Sequence, residues 1–182
     1  MTTDHRYLED LEVGERWLSQ PVTLSTEDIV QFGELYDPQT LHTDPERAAA
    51  GPFRGLVASG WHLTALAMRM SVQARSFGGT PIVGVGVDEL RWLKPVRPGD
   101  MLGVRAEVLS ARVSQSRPST GLVQFRFDMH DLSGTVVMSQ TNFIMLGRRG
   151  HQHEATRMQA PPQDAPVAAA EPPELVPAWG QV

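Results

Sequence analysis

The sequence predicts an α+β domain in which one long helix is laid against an antiparallel sheet. Four consecutive runs after residue 80 alternate apolar and polar side chains with a period of two, and a helical run at about residues 59–75 precedes them. Each gap between the runs holds a turn signal: Arg97-Pro98-Gly99-Asp100, Arg117-Pro118-Ser119-Thr120 and Asp131-Leu132-Ser133-Gly134. Strands joined by short turns pair antiparallel, which argues against a parallel βαβ arrangement.

Taken in order, residues 16–24 read as a first strand, with Pro21 suiting a sheet edge. Ser25 and Thr26 followed by Glu27 and Asp28 form a helix start, and Ile29, Phe32, Leu35 and Tyr36 are spaced along one helical face. Pro38 disfavours helical geometry at the residue before it, so this helix ends by Asp37. Asp44 before Pro45 caps a further turn of helix through Ala50. Ser59 caps the long helix, whose stripe of Leu63, Leu66, Ala67 and Met70 faces a core, and Gly78 and Gly79 supply its stop. Its many alanines suit a helix enclosed by other structure. The strands then follow at residues 82–92, 101–113, 121–130 and 135–146. Val123, Phe125, Phe127 and Met129 alternate with Gln124, Arg126, Asp128 and His130.

The 182 residues carry 16 Lys and Arg against 21 Asp and Glu, a net charge of −5, and no cysteine. Thiol nucleophiles, thiolate metal sites and disulfides are thereby excluded. The mild negative charge lacks the basic excess that a nucleic-acid partner calls for. The start MTTDHRYLED has no apolar run, and no uncharged stretch reaches the ~20 residues of a membrane span, so no membrane role and a cytoplasmic location are expected. Composition changes after Gly147. Residues 148–182 hold six of the 14 prolines and no periodicity, which divides the chain into a body at 1–147 and a disordered tail at 148–182. His151 and His153 in that tail make only a weak metal site.

Asp37 and His42 are five positions apart. On one continuous helix that offset turns the side chains about 140° away from each other. Pro38 breaks the helix, so the two ends of the overhang can fold toward one point. A carboxylate and an imidazole aimed at one water suffice for acid–base chemistry near neutral pH; the plainer alternative is a turn-forming Asp and a solvated His. Ala58-Ser59-Gly60-Trp61-His62 opens the long helix, where unpaired N–H groups and the helix dipole favour an anionic oxygen, and Gly60 leaves room for it to approach. Here the plainer alternative is a Ser cap and a packing glycine.

Together with Leu90-Arg91-Trp92-Leu93-Lys94-Pro95-Val96-Arg97-Pro98-Gly99-Asp100, these phrases resemble the MaoC-type dehydratases, or R-specific enoyl-CoA hydratases, over about residues 7–146. The resemblance implies a hotdog fold, a curled antiparallel sheet wrapped around the helix at residues 59–75. It also implies a homodimer or a dimer of dimers, and an acyl-CoA thioester as substrate with no metal and no cofactor. Asp37 and His42 match the family's Asp-x4-His dyad, which activates the water that adds to C3 of a trans-2-enoyl thioester. Gly60 matches the glycine whose N–H stabilises the thioester oxygen. Gln39, Thr40 and Ser59 depart from the family's usual Asn, Pro and His, which leaves substrate choice open. Ser59, Trp61 and His62 are candidate substrate contacts, with Trp61 and Trp92 bordering an acyl or pantetheine channel. Arg91, Lys94 and Arg97 are the densest basic patch for CoA phosphates. Alternatives are a hotdog thioesterase, a non-catalytic acyl-thioester binding subunit, and a tail whose Leu175, Val176 and Trp179 form a docking motif.

Overall fold

The computed structural model describes residues 5–74, 77, 80 and 82–151. A short 3-10 turn at Leu8–Asp10 leads into β1 (Arg16–Leu18) and β2 (Val22–Thr23), the single expected strand being split ahead of Pro21. Helices α1 (Thr26–Tyr36), α2 (Thr40–Thr43), α3 (Pro45–Ala49) and α4 (Gly60–Ala74) follow. Then come β3 (Ile82–Trp92), β4 (Met101–Val113), β5 (Thr120–Asp131) and β6 (Val136–Gly147). The glycines expected to stop α4 lie outside the described residues.

All six strands form one antiparallel sheet in the order β1-β4-β5-β6-β3, with β2 also on β4. Its inner face packs on the predicted stripe of α4. Leu63, Leu66, Ala67 and Met70 are buried with Val104, Ala106, Val108, Val123, Phe125 and Met129 in one apolar cluster. On the opposite face of β5, Asp128 is buried as well, because Arg105 Nη2 at 3.1 Å and Arg126 Nε at 3.0 Å close over it.

Two expectations about exposure need correcting. Of the α1 face read from the sequence, Ile29 is buried, together with Gly33, whereas Leu35 and Tyr36 are exposed. Helix α4 is not enclosed: Met68 and Val72 lie open. Ile82, Val83, Val85 and Val87 of β3, which among the described residues pairs only with β6, are exposed beside them.

The folded body also runs past Gly147. Arg148 Nε meets Glu9 at 2.9 Å, and Arg149 grips both carboxylate oxygens of Asp10 while lying over the Tyr7 ring. No helix among the described residues is long and apolar enough to cross a membrane.

Candidate active site

Local sequence forces Asp37 and His42 together. Ser25 and Asp28 form a capping box that starts α1, and Asp37 is its C-cap, with its N–H donating to the Gly33 carbonyl at 2.9 Å. Pro38 stops helical continuation, and Gln39 N donates to Asp37 O at 2.7 Å, closing a tight turn. The chain then restarts as the one-turn helix α2, which carries His42. That restart is absent from the sequence reading. The break between the two helices removes the 140° offset, and His42 Nε2 stands 3.4 Å from Asp37 Oδ2.

A midhelix glycine lets α2 come this close. A Cβ at Gly33 would meet the His42 carbonyl oxygen and Thr43 Cγ2 at 3.0 Å. Glycine costs a helix interior about 1 kcal/mol relative to alanine, so its presence in α1 signals such an approach.

Both groups are held from behind. His42 Nδ1 lies 2.7 Å from the carbonyl of Val57. A carbonyl only accepts, so Nδ1 carries a proton and Nε2 is the ring nitrogen turned toward Asp37. Asp37 accepts from Ser59 Oγ at 2.6 Å on Oδ2 and from Gln39 Nε2 at 2.8 Å on Oδ1. Partial burial pushes its carboxyl up, but these two hydrogen bonds outweigh that. The group therefore sits below the usual carboxylate value and is ionised at neutral pH. The result is an imidazole nitrogen and a carboxylate oxygen set side by side at the cavity wall.

Ser59 joins this dyad to α4. Besides donating to Asp37, its hydroxyl accepts from Trp61 N at 3.2 Å, capping the helix. It is 1% exposed and stands behind the carboxylate, not among the residues lining the cavity. That cavity, about 600 Å³, is lined by Asp37, Gln39, His42, Gly60, Trp61, Trp92 and Lys94 among others.

The remaining sequence candidates divide. Trp61 and Trp92 meet edge to face with ring centroids 5.3 Å apart at the cavity wall. His62 points elsewhere, stacked parallel on Phe32 at 4.5 Å, and burial holds its pKa below the usual histidine value despite the nearby charge of Asp28. Of the basic patch, only Lys94 lines the cavity. Arg97 Nη2 donates to the Phe53 carbonyl at 2.5 Å and Arg91 Nη1 to the Leu90 carbonyl at 2.9 Å.

The place of Gly60 has a second cause. A Cβ built there would overlap Cδ2 and Cε2 of Trp92, so the protein's own indole requires the glycine before any ligand does.

Residues 11–124 match the family model described as the MaoC like domain, a span that contains the dyad, the start of α4 and the phrase at residues 90–100. The chain belongs to the MaoC-like family. Among MaoC-like relatives, it is 33% identical over 105 residues to 3-hydroxyacyl-thioester dehydratase Z of Mycobacterium tuberculosis, covering 57% of this chain and 67% of that one. The solved MaoC-like dehydratase of Rhodospirillum rubrum superposes with a TM-score of 0.72 at 39% identity, over 79% of this chain and 98% of that chain. The R-hydratase PhaJ1 of Pseudomonas aeruginosa, 24% identical, shares the fold with a TM-score of 0.64 over 78% of this chain and 86% of that one. These likenesses establish the hotdog fold expected from the sequence, here as an open sheet.

Proposed function

We propose that this MaoC-like protein is a hydro-lyase that reversibly adds water across the double bond of a trans-2-enoyl-CoA thioester, giving the 3R-hydroxyacyl-CoA. The observation that carries the proposal is the pair Asp37 Oδ2 and His42 Nε2, 3.4 Å apart at the wall of a cavity opening on the N-terminus of α4. A water donating one hydrogen to each turns its lone pair outward. As its oxygen bonds to C3, one proton passes to the dyad. The dyad returns a proton to C2, so one H and one OH are added overall and the dyad is regenerated. Asp37 is the base; His42 orients the water and shares in proton delivery.

The thioester oxygen gains negative charge in the transition state. The N–H of Gly60, at the start of α4, has no partner within the helix, and its donation to that oxygen together with the helix dipole can contribute a few kcal/mol. Lys94 supplies positive charge for the anionic CoA, and Trp61 and Trp92 border the acyl path. Ser59 and Gln39 act behind the dyad, fixing the plane of the carboxylate. The reaction as written needs no cofactor beyond the CoA of the substrate, and the proposed location is the cytoplasm.

The partner of this reading is a second copy of the chain. Apolar β3 and the open side of α4 form one continuous exposed patch, and an unpaired apolar edge strand is normally covered.

The test is a panel of trans-2-enoyl-CoA esters of graded length and branching, followed by loss of enoyl-thioester absorbance. Hydration of at least one supports the reading. Release of free CoA thiol without hydration selects a thioesterase, and binding without turnover across the panel selects an accessory subunit.

A further inference from the structure

Trp92 reaches Gly60 because β3 changes register before its end. Asp88 pairs with Thr141 and Arg91 with Ser139, so two residues of β3 oppose one of β6, and Glu89 in this bulge takes a φ of 52°. A one-residue insertion swaps the faces that later side chains take and re-aims them. The indole then lies over Gly60 and is fastened there. Its Nε1 donates to Thr64 Oγ1 at 3.3 Å, and Thr64 Oγ1 in turn donates to the Gly60 carbonyl at 3.0 Å. Trp61 abuts its other side. The indole is thus held on the first turn of α4 by one hydrogen bond and by its contact with Trp61.

We propose that Trp92 is a specificity-determining residue that sets how much bulk the acyl group carries at C2. The inference rests on the hydratase reading above. With the thioester oxygen at the Gly60 N–H and C3 at the dyad, C2 lies between them, next to the residue on which the indole is seated. A substituent on C2 is therefore directed at that ring, whereas the far end of the acyl chain is not. One methyl group against a shaped apolar wall is worth roughly 10- to 200-fold in discrimination.

The experiment measures kcat/KM of the full-length protein for (E)-but-2-enoyl-CoA and (E)-2-methylbut-2-enoyl-CoA in wild type, Trp92→Phe and Trp92→Ala. The expected result is a branched-to-straight ratio that rises 10-fold or more in Trp92→Ala and changes little in Trp92→Phe, which keeps a ring on Gly60. Damage to the fold lowers both rates together and leaves the ratio alone. A ratio in Trp92→Ala within about threefold of wild type overturns the inference while leaving the hydratase reading intact. If the wild type turns over neither ester, the same ratio is measured on the shortest panel ester it hydrates and that ester's 2-methyl counterpart; hydration of no panel ester overturns both. Gly60→Ala gives a second readout: it should lose activity in the wild-type background and recover at least 10-fold when combined with Trp92→Ala. A Gly60→Ala protein as active as wild type contradicts the seating of the indole and overturns the inference.

Discussion

Asp37 carries three interactions on two oxygens, and its chemistry depends on their balance. Ser59 and Gln39 favour the ionised form by donating to it, so the carboxyl is pulled below its usual value against the opposing effect of burial. Hydration through an ionised Asp37 is retained as pH falls until this lowered pKa is reached. Removing a donor destabilises the anion and raises the pKa, so Ser59→Ala should move the acid limb of the kcat/KM profile to higher pH and lower the plateau about tenfold, the worth of one hydrogen bond. An unmoved acid limb would detach Ser59 from the carboxylate. The dyad itself was legible in the sequence because Pro38 lies between its members. The hydroxyl of Ser59 was not, since 22 positions separate it from Asp37 and no periodicity relates a loop to a helix start. His62 misled for a related reason: its position in α4 was readable, but the ring on which it stacks belongs to another helix.

Among the elements, α1 and α2 matter most, because their approach sets the dyad distance. Gly33→Ala gains helix propensity but drives a Cβ against the carbonyl of His42, backbone that cannot rotate away. Overpacking of this kind costs about 1–3 kcal/mol against about 1 kcal/mol gained. Net destabilisation of about 1 kcal/mol by denaturant unfolding is expected, with a larger fall in kcat/KM, roughly tenfold or more, as His42 shifts. Elements with strong local signals came out of the sequence nearly to the residue: β3 and β4 as read, β5 and β6 within a residue or so, and α1 ending at Tyr36. The one-turn α2 escaped because four residues hold no periodicity. The exposed Leu35 and Tyr36 show that helical spacing identifies a stripe but not which part of it a partner covers.

At the scale of the whole molecule, the sheet order leaves β3 at one edge with apolar residues on view. In the proposed dimer this strand meets its own copy, so the protein should sediment as a dimer and Val85→Lys as a folded monomer. A wild-type monomer at micromolar concentration would remove that partner. The alternation within β3 was legible from the sequence, but not that both of its faces lie open, which depends on the order of strands in the sheet. Composition put the end of the body at Gly147, whereas Arg148 and Arg149 fold back onto Glu9 and Asp10, a long-range ion pairing that composition does not encode. His153, Leu175, Val176 and Trp179 lie outside the described residues.

The central claim is that Asp37 and His42 together deliver water to an enoyl thioester. Its most direct test is the rate of absorbance loss with a trans-2-enoyl-CoA that the wild type hydrates, measured for Asp37→Asn and His42→Ala alongside their unfolding curves. Each variant should fold and lose at least 10²-fold in kcat/KM, in the range of a positioned acid–base group. A folded variant of either kind that hydrates the ester within a fewfold of the wild-type rate would contradict the account.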